Sequence, residues 1–500
     1  MNPNFDTHVK TKGSAKLYAK ADGSKVIGYL LWGDGVKFLA DAPTATRRRV
    51  KARGRSGWVD KSALGGKSLL ELYFIDVGQG DGVLVKTPDF RHLVIDAGHP
   101  RAKQPSRKSG ADFVDWKFVK DYGGTAIELD ALIASHNDLD HYGGLDDLLD
   151  AQQNAELDAQ TVAVERFFHA GLSWWRGAGG RTLGPTATKG ARKYFVDLLN
   201  DRASAVAALD GASKPQLQGE WREFVKQVVA AKTRGGQPTP FTRLSEKMSH
   251  LPGFEPGSAT PVIRVLAPLE TTVQNAAGQN VPGLQDFGEP SQSTNGQSIL
   301  LRIDYGRARI LLTGDLNKAA QQALLEAHAG HLIDFQCDVA KACHHGSDDV
   351  SFAFLQAMNA SATIISSGDA EGHDHPRPRV VAASGLTGYM TVKDDQIVTP
   401  LVYSTELARS TLLGDMVSID LANGTKLNAA ALKGSKINYV ARKPGALNPS
   451  PGHRKFETTY VVAGVVYGLV NVRTDGDTIL CATMNEGDGS WSFKTFKSRF

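Results

Sequence analysis

The 500-residue sequence is poor in cysteine, holding only Cys337, Cys343 and Cys481. An odd, sparse set excludes a disulfide framework and fits free thiols in a reducing compartment. No apolar run reaches the ~18 residues that a membrane span needs. The N-terminus lacks the basic and apolar regions of a secretory leader, so the sequence reads as cytoplasmic. Three common active-site signatures are also missing. Gly66-Lys67-Ser68 has no upstream glycine to make a Walker loop. No G-x-S-x-G elbow occurs, and Gly54-Arg55-Ser56-Gly57 does not fit one. Gly78-Gln79-Gly80 follows an apolar run, but Val83 stands where a dinucleotide fingerprint has its third glycine, and a strand pattern follows. What remains is a soluble-type composition, 41% hydrophobic and 22% charged, long enough for roughly two to four domains.

One dense cluster stands out. His136, Asp138, Asp140 and His141 form H-x-D-x-D-H, followed by Gly143 and Gly144. The apolar run 129–134 predicts a buried strand before it, and the amphipathic run 145–151 predicts a helix after it. The cluster thus belongs on a strand-to-helix loop at a sheet end, where α/β proteins build sites. Imidazoles and carboxylates this close repel and compete for water unless a cation lies between them. A divalent metal resolves that, and mixed His/carboxylate ligation suits zinc or manganese. The plainer alternative is a charged helix N-terminus capped by Asp138 or Asp140.

The motif resembles the metal-binding signature of the metallo-β-lactamase superfamily, H-x-H-x-D-H, with Asp138 in place of the second histidine. That exchange is the pattern of one branch, the hydrolase domain of ComEC-type competence DNA-uptake proteins and related phosphorylcholine esterases. Three further stretches are similar to that branch in the same order: 74–81 (F-I-D-V-G-Q-G-D), 311–315 (L-L-T-G-D) and 344–347 (H-H-G-S). The resemblance covers residues 70 to 385 less an insertion and implies a four-layer αββα sandwich holding two divalent ions, zinc or manganese. By this analogy one ion takes His136 and Asp138. The other takes Asp140, His141 and either His344 or His345, and Asp315 bridges. Asp81 and Asp96 would orient ligand histidines from behind. Asp140, His344 and His375, the last in the 372–378 stretch with His373, are candidates for acting at the reacting bond. His169, at the end of a predicted strand, is either an extra ligand or a structural histidine. A pair of such ions supplies an activated water and clamps the oxygens of an in-line displacement.

Around this centre the chain divides into three. Residues 1–66 carry thirteen Lys/Arg against five Asp/Glu, a net +8 that leaves −4 for the rest. Short alternating runs and an ending at Gly57-Trp58-Val59 resemble a bacterial SH3-like β-barrel, with Gly65-Gly66 as linker. Arg47, Arg48 and Arg49 with Lys51, Arg53 and Arg55 predict a cationic loop, either solvated or a docking patch for phosphate backbone or a protein partner. Residues 67–400 are the hydrolase domain. Its insertion at 172–258 is expected to be helical from patterns at 194–199 and 221–229. There, Trp174 and Trp175 either stack bases or form the insertion's own core. Residues 401–500 read as a β-rich extension. The function expected is a metal-dependent phosphodiesterase, a nuclease on DNA or RNA, with Trp174, Trp175, Arg48 and Arg49 touching substrate. Alternatives are a small-molecule phosphodiesterase or phosphocholine-type esterase, a lactonase or β-lactamase, or a binding protein with a vestigial hydrolase domain.

Overall fold

The computed structural model describes residues 3–104, 107–152, 154–210, 215–257, 261–368, 374–405, 410–433, 435–440, 451–455, 460–466, 468–485 and 489–500. The chain forms two compact units, one of residues 1–408 with 468–500 and the other of residues 409–467. The smaller unit consists of antiparallel strand pairs, among them Ser410–Asp415 with Tyr460–Val466, and Ser418–Asp420 with Lys426–Asn428 around Gly424. That second pair is the hairpin Asn423-Gly424 predicts.

In the larger unit two sheets lie face to face. The nine-stranded sheet has Phe241–Arg243, Phe167–His169, Ala131–Ala134 and His92–Ala97 running parallel, then Gly82–Lys86 and Leu70–Phe74 antiparallel. The six-stranded sheet repeats the plan. Val262–Ala267, Leu300–Tyr305 and Ala308–Leu312 form an antiparallel meander, and Val339–Lys341, Ala362–Ile365 and Leu401–Ser404 continue in parallel. Leu72, Val85, Ile95, Ile133 and Phe168 of the first sheet share one buried cluster with Ile263, Leu301, Ile310, Val339 and Ile364 of the second. Removing each such side chain from water contributes about 1.5–3 kcal/mol. The alternate residues Leu300, Leu311 and Ala340 face outward onto Leu316, Leu324 and Phe354 of a helical layer. On the other side, helix Leu139–Leu149 packs on the His92–Ala97 strand and on helix Gly219–Ala230. The result is four layers, and strands covered on both faces read as continuous apolar runs.

Several expectations change. The 194–199 pattern is not a helix: Arg192–Phe195 is a strand, paired with Thr186–Lys189 and Asn280–Gln285. Gly190 turns that hairpin at positive φ, and the adjacent aromatics Tyr194 and Phe195, both buried, suit a strand as well as a helix turn. The insertion is therefore mixed, with helices Arg202–Leu209 and Gly219–Ala230 beside short hairpins. Gly65-Gly66 is not a linker but closes a strand, Leu64–Gly66, that pairs with Thr7–Val9. The Arg47–Arg55 run is not a loop. Arg47–Ala52 and Arg55–Asp60 are paired strands that turn at Arg53 and Gly54. They belong to a seven-stranded sheet formed by the N-terminal residues. Of the C-terminal residues, Val470–Thr474, Thr478–Met484 and Trp491–Lys497 extend the nine-stranded sheet beyond Leu70–Phe74. Among the described residues no helix is long and apolar enough to cross a membrane.

Candidate metal centre

The site sits where parallel strands of both sheets end. Ala131–Ala134 leads into Ser135 and His136, and Leu139 opens the helix that carries Asp140 and His141. Ala308–Leu312 delivers Asp315, and Val339–Lys341 delivers His344 and His345. Glycines permit the close approach. A Cβ on Gly144 would lie 2.1 Å from the Ala97 carbonyl oxygen, and one on Gly80 would lie 1.9 Å from that of Asp140. Asp96, His344 and His345 all have positive φ (55°, 47° and 53°). That conformation costs about 1–3 kcal/mol per residue and clusters at functional sites.

Three imidazoles point Nε2 inward. His141 Nε2 is 3.2 Å and His345 Nε2 2.9 Å from Asp315 Oδ2. His136 joins His141 and Asp315 in a group whose ligand atoms lie within 4.8 Å of one another. The buried Nε2 atoms of His136, His141 and His345 have no well-formed hydrogen bond. Their Nδ1 atoms are all engaged outward. His141 Nδ1 is 2.8 Å from Asp96 Oδ2, His345 Nδ1 is 3.2 Å from the Ser366 carbonyl, and His136 Nδ1 lies 3.1 and 3.2 Å from the Ser135 and Ser298 hydroxyls. A carbonyl or carboxylate can only accept, which places N–H on Nδ1 of His345 and His141 and leaves each Nε2 lone pair for a cation. The donor set fits divalent metal. Burial opposes charge on His345, but Asp315 and Asp81 raise its pKa to about 9, and Asp315, Asp96 and Asp140 raise that of His141 further. Burial likewise works against the Asp315 carboxylate, yet His345, His141 and Lys341 hold it well below the usual range.

His345, rather than His344, shares a ligand group with Asp140 and His141. His344 Nε2 is 3.9 Å from Asp315 and 3.3 Å from Asn295 Nδ2, and burial lowers its pKa. His375 faces it, ring centroids 5.8 Å apart, while His373 lies outside the described residues. Asp138 occupies the N-cap position of its helix but makes no capping hydrogen bond. Its Oδ2 accepts instead from Thr294 and lies 3.7 Å from His136 Nε2. Asp81 lies 3.2 Å from His345 Nδ1.

Other residues sit elsewhere. His169 is buried against Phe167 and Phe241, accepts the Gly171 N–H at Nδ1, and belongs to no ligand group among the described residues. Burial and Arg243 push its pKa down to about 3. Trp174 and Trp175, 6% and 4% exposed, are too buried to offer a free face to a base, and each donates its indole N–H to a backbone carbonyl. Arg49 is paired with Asp41 at 2.6 Å, Arg47 with Asp60 at 3.0 Å, and Arg48 lies over Phe38. Much of the cationic run thus meets its own module's groups. Sequence reasoning missed Lys341, whose Nζ contacts Asp81, donates to the Gly314 carbonyl at 2.8 Å and lies 3.5 Å from Asp315 Oδ1. A lone lysine inside an apolar strand was the available signal. Ser135 and Ser298 carried none.

A model of the metallo-beta-lactamase superfamily matches residues 75–368, more than half of the chain. Competence protein ComA of Neisseria gonorrhoeae is 34% identical over 109 residues, which cover 20% of this chain and 15% of that protein. ComE operon protein 3 of Bacillus subtilis is 29% identical over 105 residues, covering 21% and 13%. The chain therefore spans less than a sixth of either relative. A solved metal-dependent hydrolase of the beta-lactamase superfamily, Tm1679, is similar over 67% of this chain and 96% of its own at 12% identity. The TM-score of that similarity is 0.31.

Proposed function

The chain belongs to the metallo-β-lactamase superfamily, and from that premise we propose that it is a divalent-metal hydrolase of phosphodiester bonds in nucleic acid. One observation carries the reading: three inward Nε2 atoms without well-formed hydrogen bonds, gathered around one carboxylate. His136 and Asp138 would hold one ion, Asp140, His141 and His345 the other, with Asp315 between them. Bound there, such ions supply Lewis acidity and an activated water. The chain's own groups do the rest. Asp96 and the Ser366 carbonyl fix the ring orientation of His141 and His345. Lys341 holds Asp81 and the Oδ1 side of Asp315, leaving Oδ2 to face the imidazoles. His344 and His375 stand beside the ligands, placed to meet a phosphoryl oxygen or the leaving group. The nucleic-acid substrate is favoured by the local similarity to competence proteins. An acidic site also repels polyanions unless cations draw them in.

The test is metal analysis of the purified protein, then incubation with single- and double-stranded DNA and RNA beside bis-p-nitrophenyl phosphate. Wild type should cut polymer, and the His136→Ala/Asp140→Ala variant should not, although it stays folded. Turnover of the small diester without cutting of any polymer would move the assignment to a small-molecule phosphodiesterase. Equal activity in both proteins would point to a contaminant.

A further inference from the structure

A cleft of about 620 Å³ adjoins the metal loop, and its lining includes Asp138, Asp140, Tyr142, Trp174, Arg181 and Lys103. Arg181 is carried on the hairpin of Trp175–Gly177 and Gly180–Thr182. Its guanidinium is centred 4.1 Å over the Trp174 indole. Among the described residues its side chain makes no hydrogen bond or ion pair. Trp174 in turn donates its indole N–H to the Asn137 carbonyl at 3.0 Å. Asn137 lies between His136 and Asp138, so one buried ring is both a peg for the metal loop and the platform for an arginine. A stacked guanidinium keeps its planar fork of N–H donors at the edge, where it suits a phosphate. Lys103 is paired with Glu220 at 2.9 Å, both side chains about half exposed or more (49% and 60%). Such a solvent-exposed pair contributes little, so a phosphate can replace the carboxylate.

We propose that Arg181, seated on Trp174, receives a backbone phosphate next to the scissile one, with Lys103 as a second contact, and thereby favours a nucleic-acid strand over a small diester. This rests on the phosphodiesterase reading above. A small diester has one phosphate, which the metal ligands take, and leaves Arg181 idle. A strand has a neighbouring phosphate to offer it.

The experiment compares wild type, Arg181→Ala and Arg181→Lys on a single-stranded oligonucleotide and on bis-p-nitrophenyl phosphate across a salt series. Arg181→Ala should raise the oligonucleotide KM about tenfold with a smaller change in kcat. The log–log salt slope should fall by about 0.7, as expected for one lost contact to a single strand. Preference for polymer over small diester should drop accordingly. Arg181→Lys should restore the salt slope but only part of the KM, since it keeps the charge and loses the fork. Wild type that cuts the polymer while Arg181→Ala matches it in KM and salt slope overturns the Arg181 assignment alone. Wild type that hydrolyses only the small diester overturns the nucleic-acid reading, and this subsite with it. Arg181 is exposed on a hairpin, and a melting curve verifies that both variants fold.

Discussion

Two clusters of buried charge lie in the same unit, and they are built differently. In the first, Arg473 Nη1 donates to Asp34 and to the Trp32 carbonyl, both at 2.7 Å. Lys86 donates to Glu71 at 2.8 Å, and Lys117 donates to Asp121 at 2.7 Å and to the Tyr73 hydroxyl at 2.8 Å. Burial opposes the Glu71 carboxylate, yet Lys86 and Arg473 hold its pKa far below the ordinary range. Each carboxylate there faces a permanent cation. In the second cluster, around Asp315, the facing groups are mainly imidazoles whose inner nitrogens have no well-formed hydrogen bond. Burial and shifted titration are common to both, so neither marks function. The donor set does: Lys and Arg close a cluster, whereas converging Nε2 atoms leave it open to a cation.

The sharpest way to break that comparison is to remove the centre of each cluster. Asp315→Ala should lower metal content at both positions and bring cleavage down to the level of a metal-free control, with the melting transition preserved. Metal analysis that still finds two ions per chain would sink the bridging role. Arg473→Met takes from the buried Asp34 its 2.7 Å partner, while Glu71 keeps Lys86. It should lower the unfolding free energy in urea by about 3–5 kcal/mol, while metal bound per folded chain stays constant. Arg473 joins the N-terminal sheet to the last strands beside a buried cluster of Leu31, Trp32, Leu69, Leu480 and Trp491. Deleting residues 1–66 to probe nucleic-acid binding would therefore expose this core, and point variants are the cleaner probe.

A smaller effect is expected one step back from the ligands. Asp96 accepts from His141 Nδ1 at 2.8 Å and from the Ser135 N–H at 2.7 Å. Asp96→Asn keeps the shape and loses the charge that orients and strengthens the imidazole. Metal affinity in a chelator competition should fall by about 10–100-fold. An affinity equal to wild type would mean that the Ser135 hydroxyl, 3.3 Å from the same nitrogen, suffices to hold the ring.

The candidate metal ligands were legible because they are local: four lie within six residues, and Asp315 and the histidine pair each follow an apolar strand. Choosing His345 over His344 required the turn geometry, since adjacent residues at positive φ point in directions no spacing rule gives. Most strands of both sheets were legible as apolar runs, but the edge strand Phe241–Arg243 was not, because it lies in the insertion expected to be helical. Their neighbours were not: nothing in 470–497 says that it pairs beside 70–74, and Arg473 meets Asp34 across 439 positions of sequence. Trp174 was open to two readings because an indole beside arginines looks alike as a stacking face or a buried peg. Only its hydrogen bond to Asn137 and its burial distinguish them.

A third kind of acid completes the comparison. Asp146 is half-buried on helix Leu139–Leu149, and among the described residues it pairs with no lysine or imidazole and its Oδ1 has no hydrogen-bond partner. Burial first, then Asp150, Asp147 and Glu223, push its pKa up to about 7. These causes all favour the protonated acid. The folded pKa lies above the unfolded value of about 3.9, so the folded state binds more protons between the two. Wild-type stability from this group is complete below about pH 4 and is lost as pH rises to about 7, staying level beyond. Asp146→Asn removes the titration, so the variant should gain on wild type across that window. The gain should be at most about 1 kcal/mol near pH 8, since water still reaches the carboxylate and screens it. Urea melts of both proteins at about pH 4, 6 and 8 measure it. Parallel stability curves would mean that Asp146 stays ionised in the fold, and that an uncompensated acid on this helix is solvated rather than protonated.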